Sequence, residues 1–297
     1  MSVESALALI ESVKDFKVLF VGDTIIDEYQ YVSVLNKSPK ENLIPVKYLS
    51  SEVFQGGVHA AARHCESFCK AVTVATDGNG VRKVRMVDKN DVRKLFEIHY
   101  NGHITPIVER DTAGFDCVIA VDFGHGLIDS KAVEWLTKTP YLAVNAQTNS
   151  ANSGFNLITK YRHSDYIVID EPEARLAAHD RDSPIETVME KLANGRCLKL
   201  IVTHGFHGAY AYDVGRSEFA KLPALSNTVV DTMGAGDAFL AITAPMSKTG
   251  SIEDLLLIGN AAGAIKCQIT GHRSLVTKNN LIGFLKKHDS FRSDSRR

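Results

Sequence analysis

The chain has 297 residues, 44% hydrophobic and 23% charged, with 34 Lys and Arg against 35 Asp and Glu and a formal net charge of -1. That balance excludes the broad basic field of a nucleic-acid binder, and the length suits one large α/β domain or two small ones. No run approaches the ~20 apolar residues of a spanning helix, so no membrane partner is expected.

Residues 1–16 predict a short amphipathic helix without the basic start and apolar centre of a signal peptide. Residues 17–22 read as a first strand. Asp23 and Asp27 follow it, at the edge where open α/β sheets bind ligands. Carboxylates there suit sugar hydroxyls, each accepting several hydrogen bonds, with a polar strand cap as the alternative. Residues 30–35 and 44–49 read as a hairpin, a lid spanning 30–55. Gly56 and Gly57 then let the backbone approach a ligand, or turn the chain into a helix over 57–68.

Further strands are predicted over 71–76, 117–122, 141–145, 166–170 and 198–203, and helices over 130–138, 171–178 and 184–193. Residues 234–288 read as helical apart from a turn at 270–272, and 290–297 as a disordered polar tail. Near-continuous hydrophobicity implies strands covered on both faces, and the alternation implies a mainly parallel sheet with helices on both sides. We expect a single domain over 1–297. Cys65, Cys69, Cys117, Cys197 and Cys267 are odd in number and hold no Cys-x-x-Cys pair. They read as structural thiols in a reducing, cytoplasmic setting. His59, His64, His125, His204 and His207 are given no catalytic role.

The most informative stretch is 227–239, Asn-Thr-Val-Val-Asp-Thr-Met-Gly-Ala-Gly-Asp-Ala-Phe. A β-like run enters a glycine turn and a helix leaves it. Its free N–H groups and positive dipole end suit an anion. Asp237, in the first helical turn, would be repelled by a phosphate unless it has a task. Orienting an alcohol and taking its proton is such a task. A plain helix start is the alternative reading of the same residues.

Asp231 to Asp237, Asp-Thr-Met-Gly-Ala-Gly-Asp, resembles the signature of ribokinase/PfkB carbohydrate kinases. The resemblance extends to most of the chain. Residues 21–29 are similar to the start of the kinase half of heptose-phosphate kinase/adenylyltransferases. Lys37 to Glu41 with Ile44-Pro45-Val46 is similar to their lid. Gln55-Gly56-Gly57 resembles the Gly-Gly motif, residues 121–126 another landmark, and Asp170-Glu171-Pro172-Glu173 the Asn-x-x-Glu motif. Val202-Thr203-His204-Gly205 with Gly208 resembles the nucleotide-side Thr-x-Gly-x-x-Gly.

The resemblance implies a ribokinase-like fold with a small β-hairpin lid, and ATP with Mg²⁺ as donor. It implies Asp237 as base, with Gly234, Ala235 and Gly236 as the anion hole. Asp23, Asp27, Gly56, Gly57, Lys83 and Arg85 would bind the sugar. Thr203, Gly205, Gly208, Asp231, Thr232, Asn260 and Gly263 would hold the nucleotide. Glu173 would reach Mg²⁺ through water. The cluster of Arg82, Lys83 and Arg85 falls where heptose kinases meet a substrate phosphate, a solvated basic strand being the alternative. A monovalent cation near the anion hole occurs in part of the family and is left open here. The lid edge suggests a homodimer, since exposed strands seek partners. No His-x-Gly-His occurs, so a separate nucleotidyltransferase is expected in the pathway.

Three departures bear on activity. Ala60 stands where the Gly-Gly motif continues to a sugar-holding Asn, with His59 as a substitute. Asp170 replaces an Asn. Only residues 77–81 fill a place where related kinases put about a helix and a strand. They motivate one alternative to a sugar kinase, a degenerate kinase fold that binds or regulates; a nucleoside or vitamin kinase is another, against which the lid and the Asp23/Asp27 pair favour a polyhydroxylated substrate. A P-loop is excluded by the lack of Gly-Lys, and a dinucleotide fold is disfavoured by the lack of Gly-x-Gly-x-x-Gly after the first strand.

Overall fold

The computed structural model describes residues 2–77, 80–91, 93–226 and 228–294. Gly78, Asn79 and Asn227, parts of the shortened segment and of the motif above, lie outside them. The chain runs α1 (Val3–Ser12), β1 (Lys17–Gly22), β2 (Thr24–Val34), β3 (Val46–Gly57), α2 (Val58–Cys65), β4 (Ala71–Ala75), β5 (Val81–Asp88), β6 (Lys94–Tyr100) and β7 (Cys117–Asp122). It continues with α3 (Ser130–Leu136), β8 (Leu142–Ala146), β9 (Tyr166–Asp170), α4 (Glu171–Ala178), α5 (Ile185–Ala193), β10 (Lys199–Thr203), β11 (Ala209–Asp213) and β12 (Glu218–Leu222). Helices α6 (Ala235–Thr243), α7 (Ile252–Lys266) and α8 (Lys278–Asp294) complete it.

An eight-stranded sheet has the order β12-β11-β10-β9-β8-β7-β1-β4. From β10 to β4 the pairs are parallel, and β11 and β12 are antiparallel. The apolar runs behave as two-faced strands. Val18 and Phe20 join one core with α1, α2, α6 and α7, while Leu19 and Val21 join the other with α3, α4 and α5. Strand order reverses on either side of β1, so the crevice between β1 and β7 is the topological switch point. Close packing fixes Gly259, in α7, against α6. A Cβ there would lie 2.2 Å from the Phe239 ring. Gly259→Ala is therefore expected to destabilise the chain by about 1–3 kcal/mol through overpacking, read by urea unfolding.

The hairpin expected over 30–55 is present as β2 and β3, but it begins earlier and is wider. β2 starts at Thr24, one residue after β1, and the second sheet has four strands in the order β3-β2-β5-β6. β5 pairs parallel with β2, so the basic residues of 82–85 belong to this sheet. Three further expectations change. Residues 228–230 are irregular rather than β-like, because Val230 and Asp231 N–H donate to Cys267 O instead of to a strand. The helical region pauses at 244–251. The tail continues α8 to Asp294.

Candidate active site

A cleft of about 640 Å³ lies between the carboxyl ends of the large sheet, the inner face of the small sheet and the start of α6. Gly234 is the N-cap of α6, at φ 73 and ψ 11, a left-handed turn that favours glycine. Gly236 faces open space. Among the described residues, the amides of Gly234, Gly236 and Asp237 have no intramolecular acceptor, while that of Ala235 donates to Thr232 O at 3.3 Å. Two of the three amides expected in the hole are thus available, and Asp237 supplies another.

Asp237 is half-buried on the cleft wall, and its Oδ1 accepts from Gln147 Nε2 at 2.8 Å. Burial raises its carboxyl above the ordinary aspartate range, opposed by the nearby side chains of His272 and Lys266. Donors aimed at an anion beside a fixed carboxylate can stabilise a phosphoryl group in transfer and align an attacking alcohol.

Opposite α6, the pleat of β2 and β5 sets Asp27 beside Lys83 and Tyr29 beside Arg85. Asp27 lies inside β2, not after a strand, and lines the cleft. It pairs with Arg85 and lies 3.3 Å from His272 Nε2. Burial pushes its carboxyl up, but His272 and Arg85 together hold it below the usual value. Arg85 is also 2.5 Å from Glu97. Lys83 is buried, lines the cleft and, among the described residues, has no hydrogen bond or ion pair. Burial lowers its ammonium pKa. Arg82, one residue away, sits on the opposite face, paired with Glu28 and over the Tyr100 ring.

Three expected ligand residues are off the cleft wall. Asp23 is buried, its carboxylate accepting the amides of Phe123 at 3.1 Å and Leu127 at 3.4 Å. Burial and neighbouring Asp122 push its pKa up to about 6. It therefore ties β1 to the loop after β7. Gly56 does not line the cleft. A Cβ there would lie 2.1 Å from Asp27 Oδ2, so the missing side chain makes room for that carboxylate. Asp231, expected on the nucleotide side, is off the cleft wall and braces the surrounding chain. It accepts from Tyr29 OH at 3.0 Å, Lys94 Nζ at 2.8 Å, and the amides of Met233 at 3.1 Å and Gly271 at 2.9 Å. Burial pushes it up, but Lys94 and the two amides bring it down to about 2.

His59, offered as a replacement for the missing Asn, is also off the wall, 3.4 Å from Thr24 Oγ1. The expected nucleotide residues Thr203, Gly205, Gly208, Thr232, Asn260 and Gly263 do share the cleft, beside apolar Phe206, Leu225 and Val229. Gly208 has φ 95, and a Cβ would lie 2.0 Å from Leu222 O. Asn260 spends its amide on Leu222 O at 3.0 Å, fixing the chain that returns from β12.

Glu173 lines the same cleft. It closes a capping box with Asp170, and its Oε1 accepts the Thr148 amide at 2.8 Å. Asp170 thus keeps the N-cap task that an Asn would perform. Burial and Asp170 push the Glu173 carboxyl up to about 8. No group of three or more His, Cys, Asp or Glu able to hold a metal occurs among the described residues. Magnesium is ordinarily held by one or two carboxylates together with phosphates and waters, a donor set that Glu173 and Asp170, both on the cleft wall, fit.

Sequence reasoning missed Gln147, Lys266 and His272. Gln147 immediately follows β8, so the rule placing ligands at carboxyl strand ends could have found it. The other two had no local signal.

Residues 138–279 match the family described as pfkB family carbohydrate kinase. The bifunctional protein HldE of Sodalis glossinidius is 23% identical over 287 residues, which cover 84% of this chain but only 58% of that relative. The D-beta-D-heptose 7-phosphate kinase of Bordetella bronchiseptica is 24% identical over 312 residues, 92% of this chain and 97% of the relative. Among solved structures, ribokinase from Thermotoga maritima superposes with a TM-score of 0.72 at 19% identity, covering 91% of this chain and 99% of that one. The Methanocaldococcus jannaschii nucleoside kinase superposes with a TM-score of 0.69 at 18% identity, covering 93% and 100%. These structural likenesses carry the fold.

Proposed function

We propose that the chain, which is similar to pfkB family carbohydrate kinases, is a phosphotransferase that moves the γ-phosphate of ATP to a hydroxyl of a phosphorylated, heptose-like sugar. The observation that carries the acceptor class is Lys83. A buried ammonium with no partner among the described residues is costly, and a phosphate on the acceptor would repay the cost. Asp27, already fixed by Arg85 and His272, keeps lone pairs for sugar hydroxyls.

In this reading the acceptor hydroxyl lies against Asp237, which orients it and takes its proton as the bond to phosphorus forms. The amides of Gly234, Gly236 and Asp237 receive the equatorial oxygens of the phosphoryl group. The adenine side is the apolar end near Leu225 and Val229, with Gly205 and Gly208 giving backbone access. Glu173, through water and aided by Asp170, would hold Mg²⁺, which when bound neutralises charge on the transferred and leaving phosphates. The small sheet acts as a lid whose closure excludes water from the phosphoryl group. Its outer face exposes Val53, Phe96 and Ile98, and we place the contact of a homodimer there.

An ADP-release assay across heptose, hexose and pentose phosphates and a set of nucleosides tests the proposal. Heptose phosphates should give the highest kcat/KM. Turnover confined to nucleosides would replace the acceptor class, and no turnover with any acceptor would favour a binding role for the fold. Lys83→Met is expected to raise KM for the phosphorylated sugar by roughly 10- to 100-fold with little change in kcat. The same variant should leave the KM of an unphosphorylated sugar almost unchanged, and an equal loss on both would remove Lys83 from the phosphate.

A further inference from the structure

Lys266, in the last turn of α7, is fully buried. Among the described residues it forms no ion pair. Its ammonium instead donates to Met233 O at 2.6 Å and to Gly271 O at 2.8 Å. A buried ammonium forfeits several kcal/mol of hydration unless hydrogen bonds replace it, so two carbonyls form a small built site for a cation. The acids around it are engaged elsewhere. Asp231 is filled by Lys94, Tyr29 and two amides, and Asp237 accepts from Gln147.

One of the two carbonyls matters for the hole itself. Met233 C=O and Gly234 N–H belong to the same trans peptide unit, so they point in opposite directions. Fixing the carbonyl inward on Lys266 therefore aims the Gly234 amide outward, into the cleft. A Cβ on Gly234 would also lie only 3.4 Å from Lys266 Cε, which places the lysine stem directly behind the turn.

A free monovalent ion beside the hole would need such backbone oxygens, and here an ammonium already holds them. A second cation would also meet like-charge repulsion at close range. We propose that Lys266 is a tethered cation that positions the anion hole, so that this chain, on the kinase reading above, works without a free monovalent ion.

The decisive comparison sets the wild-type protein in potassium chloride against tetramethylammonium chloride at equal ionic strength. Melting temperature and ATP turnover with a heptose 7-phosphate should agree between the two salts. Lys266→Met, which keeps the stem and removes the charge, should lose kcat by roughly tenfold or more in tetramethylammonium. It should recover part of that loss, and gain melting temperature, when potassium or ammonium is added, because an ion that binds only the folded state stabilises it.

Wild-type melting or turnover that rises severalfold or by several degrees with potassium would overturn the proposal. So would a folded Lys266→Met that turns over at the wild-type rate in tetramethylammonium. If the variant does not fold, the wild-type pair of melts decides alone. Absence of turnover in every salt would sink the kinase reading without touching the cation result, since the melts need no acceptor.

Discussion

Replacing Asp237 by Asn is expected to cut turnover by about two to four orders of magnitude while leaving ATP affinity within about twofold. The substitution preserves shape, and an Asn oxygen can still accept from Gln147 Nε2 as the aspartate does at 2.8 Å. On the proposed mechanism, what disappears is the base. The amides of Gly234 and Gly236 are untouched, so phosphate contacts survive, and loss of a negative charge cannot weaken a polyanion. Calorimetric ATP binding alongside steady-state rates separates the two quantities. A turnover within tenfold of wild type would remove Asp237 from the base role. The wild-type rate should also fall on acidification, because the base must be ionised to act. Burial raises its carboxyl, so the fall begins above the ~3.9 of an ordinary aspartate.

Asp231→Ala should destabilise the fold by about 2–4 kcal/mol, the scale for stripping a buried carboxylate from several donors at once. Four donors lose their acceptor together: Tyr29 OH, Lys94 Nζ, and the amides of Met233 and Gly271. They come from two strands of the small sheet, from the turn before α6 and from the turn after α7, so the loss is tertiary and not confined to one loop. Lys94 is partly solvated and contributes the smaller share. The pH dependence has a definite sign. A carboxyl held at about 2 contributes stability that is complete above its unfolded pKa of ~3.9 and fades as pH falls through its folded value. Urea unfolding of the two proteins should differ most near neutrality and converge below about pH 4. A neutral-pH difference under about 1 kcal/mol would show that the brace does not bear on the fold.

Much of this was legible in the sequence for a physical reason. The strands of the large sheet are buried on both faces, so β1, β7 and β9 announce themselves as unbroken apolar runs. The motif around Asp237 is equally local, since a turn and a helix start need only a short string. The small sheet is harder to see. Its strands carry Asp27, Glu28, Lys83, Arg85 and Glu97, whose charges face a cleft or one another, so β5 and β6 resemble polar loops. Direction is also invisible in a string. Asp23 and Asp231 stand at the right places along the chain, yet each turns to backbone amides instead of to the cleft. Lys266 reads as an ordinary last-turn lysine favoured by the helix dipole, and only the long-range contacts to Met233 and Gly271 give it another meaning.

The way the small sheet is attached restricts how this molecule can breathe. One residue, Asp23, separates β1 from β2, and none separates β3 from α2. Val58 N–H donates to Asp23 O at 3.0 Å, which rivets these two joints together. With β2 and β3 both tied to one rivet, tilting about that joint is the motion these two short connections favour. A tilt about that joint would gape most at the far tip, where Lys94 meets Asp231, so this ion pair would feel the motion first.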